Sequence, residues 1–258
     1  MSKHPNGRLW AVPRPGVPPA APDDRAELRH TLSQIDDFLA MLSHELRQPV
    51  AAALAAIEIQ KQSPRADRQE RARRVIEQQV RYIARLVGDL SEVSRISRGT
   101  FELKRERLDV RALIRETLAM TEPLFDTRRH TVTAVLGAHP LFVYGDGIRV
   151  KQIFSNLLKN AASYTAPGGS VSVRLDATRD TVRVRIRDNG TGIAADALER
   201  IFDLFHRGTR ISDGHSAGIG LAVVRRLVEL HGGTVTAASD GPGRGSEFAV
   251  VFPRDTSN

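Results

Sequence analysis

Cysteine is absent from the 258 residues, which removes disulfide stapling and thiolate metal sites from consideration. No apolar run approaches the roughly 20 residues of a membrane-crossing helix, and the N-terminus lacks the apolar core of a signal peptide. These absences predict a cytoplasmic, soluble protein without an integral membrane segment. Aromatic residues are few, at 5%, and there is one tryptophan, Trp10. That scarcity bears on the formal charge of +8, which by itself invites a nucleic-acid partner. Much of the excess is arginine spread along helices, as in Arg65 to Arg74, interleaved with acids in the manner of a solvated helix face. With few rings to stack on bases, no nucleic acid is expected as a partner.

What is present starts with Ser43-His44-Glu45-Leu46-Arg47-Gln48-Pro49. It sits in a seam of Leu28, Leu32, Ile35, Leu39, Leu42, Leu46, Pro49 and Ala53, whose steps of four and three mark one side of a long helix. In that heptad His44 takes the outermost position, so its imidazole stands in water. A solvated surface histidine is one reading. A Ser/His/acid triad is disfavoured, because consecutive helix residues point in different directions. A zinc helix of the H-E-x-x-H type needs histidine where the chain has Gln48.

In chain order, residues 1–22 are proline-rich and form a flexible leader. Asp23 or Asp24 caps a helix from about Arg25 to Ile59, in which Pro49 removes a backbone donor and kinks the axis. Residues Gln62 to Asp67 make a turn, and a second helix places Ala72, Ile76, Gln79, Ile83, Leu86, Leu90 and Val93 on one face. One hairpin cannot cover its own seam, so pairing with a second copy into a four-helix bundle is expected, which makes the protein a homodimer.

After Gly99 strands and helices alternate. Expected strands are Phe101 to Arg105, Thr131 to Leu136, Leu141 to Tyr144, Ser170 to Leu175, Thr181 to Arg187, Thr234 to Ala238 and Ser246 to Phe252. Expected helices run from Asp109, as cap, to about Phe125, from Gly147 to Tyr164, and from Ala217 to His231. The fold class is α+β: an antiparallel helical hairpin followed by a two-layer α/β sandwich with helices on one sheet face. The domain expectation is 1–22 leader, 23–98 hairpin domain and 99–258 sandwich domain.

Four clusters fall in the second domain. Asn156 and Asn160 lie one turn apart on a helix that ends near Tyr164. Either could be a plain surface amide, yet a hard Mg²⁺ ion takes one or two protein oxygens together with phosphates, a role one asparagine can fill. Asp188-Asn189-Gly190-Thr191-Gly192-Ile193 follows a strand. Its glycines admit a flat ligand and its carboxylate can accept from an amino group, although D-N-G turns are common. Gly214 to Leu221 enters a helix with glycines at its start, a weak sign of phosphate binding. Gly241 to Phe248, taken alone, reads as a turn between strands.

In this order and spacing the clusters resemble the N, G1, G2 and G3 boxes of the Bergerat-type ATP-binding fold, with Ile201 to Phe205 similar to its F box. The His44 run resembles the H-box that, within this superfamily, precedes that fold in sensor histidine kinases. The resemblance covers about Ala26 to Pro253. It implies ATP and Mg²⁺ as cofactors, His44 as phosphoacceptor and Glu45 as general base. It implies Asn160 as Mg²⁺ ligand, Asn156 as phosphate support, and Asp188 as reader of adenine in a pocket shaped by Tyr164, Gly190, Gly192 and Ile193. Gly218, Ile219, Gly220 and Leu221 would open the phosphate-binding helix, and His206 to Ser216 would form a mobile lid whose Arg207 and Arg210 offset γ-phosphate charge. The implied partners are a second copy, a response regulator receiver domain and an unidentified sensory domain or protein. Two departures stand out. Gln48 replaces the usual threonine or asparagine that positions water for phosphatase action, and Ser163 stands where lysine or arginine is frequent. A degenerate kinase that only docks partners, and a phosphatase-dominant protein, are the rival readings.

Overall fold

The computed structural model describes residues 24–97, 102–203 and 218–257. The leader, 1–22, and the expected lid with Arg207 and Arg210 lie outside the described residues. The chain divides into two compact units, Met1–Glu45 and Leu46–Asn258. Helix α1 (Asp24–Gln62) runs through Pro49 without interruption. Three residues, 63–65, connect it to α2 (Ala66–Ser97), a tighter turn than expected, and the Gln69 side chain donates to the Ser63 carbonyl at 2.9 Å. Ala56, Ala72, Tyr82 and Leu86 are buried along the hairpin. On its other side Val50, Leu54, Val80 and Val87 remain exposed.

The sandwich follows. Strand β1 (Glu106–Asp109) pairs antiparallel with β3 (Phe142–Gly145), so the first strand lies later than the expected Phe101 to Arg105. Residues 102–105 have no regular structure, and Phe101 is outside the described residues. The pairing explains the shift, because it puts buried Leu108 opposite buried Val143. Asp109 then caps α3 (Val110–Thr127), its carboxylate accepting from the Arg111 amide at 3.0 Å. Strand β2 (Thr131–Val135) and helix α4 (Gly147–Tyr164) come next on either side of β3. Asp146 caps α4, accepting from the amides of Ile148 and Arg149 at 3.0 and 3.2 Å. Val150, Ile153, Phe154, Leu157, Leu158 and Ala161 recur at helical spacing and all are buried, which fixes the core-facing side of α4.

Strands β4 (Ser170–Ala177) and β5 (Thr181–Asp188) form the expected hairpin. A short helix, α5 (Ala195–Leu198), precedes α6 (Gly220–Leu230), with β6 (Thr234–Ala238) and β7 (Ser246–Pro253) last. Helix α6 starts later than Ala217, in line with the φ of +67° at Gly218, which no right-handed helix accommodates. The larger sheet has the order β2-β4-β5-β7-β6 and is mixed, since β2 runs parallel to β4 while the other pairs are antiparallel. Val171, Val173, Val184, Ile186, Val250 and Phe252 point to the helical layer and are buried. Alternation sends Arg174, Arg183, Arg185 and Arg187 to the opposite face, where Arg174 stands directly across from Arg185. Asp176 pairs with Arg185, and Glu247 lies opposite Arg187.

Candidate functional site

The helical layer and the end of the sheet enclose a cavity of about 320 Å³. It combines α4 (Asn160, Tyr164), the turn after β5 (Asp188, Thr191, Gly192, Ile193), the start of α6 (Gly218, Gly220, Leu221) and β7 (Ser246, Phe248). Residues from three of the four sequence clusters on the expected list thus meet in one place. The fourth cluster, which reads as a turn between strands, enters through Ser246 and Phe248.

Asp188 ends β5 and is 5% exposed. One carboxylate oxygen accepts from the amides of Gly190, at 2.8 Å, and Ser246, at 3.3 Å; the other accepts from the Ser246 hydroxyl at 2.6 Å. Three of a carboxylate's roughly four acceptor positions are therefore filled, which leaves capacity for about one further donor such as an amino group. Sequence reasoning missed Ser246. Its only signal was a place in a glycine-rich turn, and its partner lies 58 residues away.

Gly190 is forced by close approach, because a Cβ there would come within 2.2 Å of the Tyr164 carbonyl oxygen. The same carbonyl accepts from the Thr191 amide at 3.0 Å, so the turn after β5 is pinned to the C-terminal end of α4. Gly192 adopts a φ of +68° and packs against the Gly241 carbonyl, with no room for a side chain. Ser239, also absent from the sequence expectations, accepts from the Ile193 amide at 3.0 Å and donates to the Gly245 carbonyl at 2.6 Å. It thereby joins the turns on the two sides of the cavity. Ile201 and Phe248 supply buried apolar wall, with Phe202 edge-on to Phe248 at 6.2 Å between centroids.

Asn160 reaches the cavity, whereas Asn156, one turn earlier, donates from its Nδ2 to the Gly220 carbonyl at 3.4 Å. Asn156 thus braces the start of α6, and Gly190 and Ile219 are buried and do not line the cavity. Among the described residues no three histidine or acidic side chains cluster as a metal cage. The donor set still fits Mg²⁺, which takes one or two protein oxygens and completes its shell with water and phosphate. Ser163 is exposed outside the cavity.

On α1 the His44 side chain is 57% exposed and that of Glu45 only 5%. Glu45 Oε1 lies 3.7 Å from His44 Nδ1, beyond hydrogen-bond length. Gln48, on the same helix, is exposed.

Two family models match the chain: a His Kinase A (phospho-acceptor) domain over residues 34–99, and a histidine kinase-, DNA gyrase B- and HSP90-like ATPase over residues 145–256. The sensor protein KdpD of Escherichia coli (strain K12) is 30% identical over 240 residues, which are 92% of this chain and 26% of KdpD. Full-length ShkA in complex with AMPPNP is similar at 28% identity and a TM-score of 0.64, covering 86% of this chain and 46% of ShkA. The histidine kinase ThkA, in a complex with the response regulator protein TrrA, shares the fold at a TM-score of 0.67 and 22% identity, covering 90% of this chain and 66% of that one. The chain spans between about a quarter and three fifths of the length of the curated relatives it matches. Among the described residues no helix is long and apolar enough to cross a membrane.

Proposed function

The chain belongs to the sensor histidine kinases, and from that premise we propose that it binds ATP with Mg²⁺ in the cavity of a 99–258 domain. In this reading it phosphorylates His44 of a 23–98 domain and passes the phosphoryl group to an aspartate of a response regulator receiver domain. The observation that carries the reading is a cavity uniting a buried carboxylate with a glycine-led helix start, in a chain that also displays an exposed histidine beside a buried glutamate.

The chemistry follows from these groups. Asp188 accepts a hydrogen bond from the adenine amino group at its remaining acceptor position, and the N-terminal end of α6 receives phosphate oxygens with its leading amides. Asn160 would hold Mg²⁺, which when bound offsets phosphate charge. His44 Nε2 attacks the γ-phosphorus, the bond from that phosphorus to the β–γ bridging oxygen breaks, and ADP leaves. Glu45 takes the Nδ1 proton, so the phosphorylated ring ends neutral. Gln48 is assigned to water positioning in the reverse, phosphatase direction, and the lid arginines Arg207 and Arg210 to γ-phosphate charge. The AMPPNP bound by ShkA and the TrrA partner of ThkA support these assignments of nucleotide and regulator.

The exposed stripe of Val50, Leu54, Val80 and Val87 supports a homodimer built on the hairpin. We assign the protein to the cytoplasm, with its stimulus supplied by an unidentified sensory domain or protein. Incubating the His44→Gln variant with γ-labelled ATP tests the central step. The variant is expected to bind nucleotide as wild type does while forming no acid-labile phosphoprotein, and persistent label would place the nucleophile elsewhere.

A further inference from the structure

His231 is a buried imidazole that none of this chemistry uses. It follows the C-terminal end of α6, whose first residue, Gly220, lines the cavity. Its Nδ1 lies 2.7 Å from the Leu227 carbonyl oxygen and its Nε2 3.0 Å from the Asp146 amide nitrogen. A carbonyl only accepts and an amide only donates. The ring is therefore neutral, protonated on Nδ1, with Nε2 accepting.

Asp146 is the cap of α4, and its carboxylate takes the amides of Ile148, Arg149 and Lys104. From that fixed start α4 carries Asn156 to the Gly220 carbonyl and Asn160 into the cavity. Helices α4 and α6 are thus tied at two points, one at the cavity and one at the far end. At about 1.5 Å of rise per residue, the two ties are about 15 Å apart along α4 and about 16 Å apart along α6. These matched spans set the axial register, and a slip of one turn would displace the phosphate-binding end by about 5 Å. Gly145 makes the far tie possible, since a Cβ there would lie 2.5 Å from the His231 ring.

We propose that neutral His231 is a positioning residue for nucleotide binding: it locks α6 against α4 through the Asp146 amide, and protonation, which sets a donor against a donor, releases the lock and weakens binding. The charged groups that face the ring are Arg105, whose guanidinium donates to the Leu230 carbonyl at 2.7 Å, and the Asp146 carboxylate; β7 contributes only the uncharged edge of Phe252. Burial holds the imidazole below the usual histidine range, and Arg105 acts in the same direction against the opposing Leu227 carbonyl and Asp146.

The inference rests on the nucleotide reading of the cavity. Its test is the dissociation constant of a non-hydrolysable ATP analogue with Mg²⁺, measured by calorimetry on the full chain from pH 8 to pH 5. The proteins compared are wild type, His231→Phe and His231→Gln, whose amide oxygen accepts without titrating. At pH 8 the Phe variant, which leaves the Asp146 amide without an acceptor and so unlocks α6, is expected to bind about tenfold more weakly. The Gln variant should recover most of that loss and flatten the fall in affinity that wild type shows on acidification. Equal affinity of the Phe variant and wild type, or the same acid profile in the Gln variant, overturns the proposal. Should the Phe variant not fold, an NMR titration of His231 in wild type decides: bound analogue must lower its pKa, because the linkage is reciprocal, and an unchanged pKa overturns the proposal. Wild type that binds no analogue at any pH overturns the nucleotide reading itself, so the two failures are distinguishable.

Discussion

Asp188 is held by a residue that local sequence gives no reason to notice. The Ser246 hydroxyl and amide fix both oxygens of its carboxylate, so Ser246→Ala should free one oxygen to rotate and hydrate. The expected outcome is nucleotide affinity weakened by about tenfold, the usual worth of one hydrogen bond to a charged group, with phosphorylation at saturating ATP little changed. Titration calorimetry with ADP checks it, and an unaltered dissociation constant would show that the serine does not orient the aspartate. Asp188, Asn160 and the glycines announced themselves because each belongs to a short motif. Ser246 did not, because its meaning depends on the β5–β7 pairing, which no window of neighbouring residues contains.

Elements with both an end signal and a strong period were legible in the sequence. Helix α4 has the expected bounds, Gly147 to Tyr164, because Asp146 caps it and its apolar residues repeat at helical spacing. The first strand was misplaced because the residues of 102–109 alternate weakly, and only Leu108 meeting Val143 selects the paired segment. The start of α6 was set too early because helical propensity says nothing of a left-handed glycine at 218. The hairpin's apolar pattern was clear, yet a single stripe on each helix cannot distinguish the contact within one chain from that between two. The exposure of Leu54, at 61%, makes it the residue to change. Leu54→Glu should shift the protein from dimer to monomer in light scattering at micromolar concentration while nucleotide affinity stays as in wild type. A dimer that survives the charge would move the interface off this stripe.

For the whole molecule, the order of the five strands was unreadable, since pairings such as β2 with β4 join segments far apart in the chain. Burial of His231 nonetheless makes global stability depend on pH in a determinate direction. Folding lowers its pKa from the ordinary 6.5, so the unfolded chain binds the proton more readily. The contribution is complete above pH 6.5 and is lost as pH falls through the lower, folded value. The thermal midpoint should decline on acidification across that window, and should decline less in His231→Gln.

The arginines on the outer side of the sheet carry a last consequence. Arg174 and Arg185 stand opposite one another, Arg183 and Arg187 are their neighbours, and the chain as a whole is positive by eight charges. Asp176 and Glu247 offset the charge of Arg185, so the repulsion left for counterions to relieve is that of the molecule's net charge, screened over a Debye length of about 10 Å at 0.1 M salt. Unfolding temperature should therefore climb as sodium chloride is raised from about 0.01 M to 0.1 M, the range in which that screening length contracts from about 30 Å to about 10 Å. A protein held together by its surface ion pairs would melt earlier over the same range.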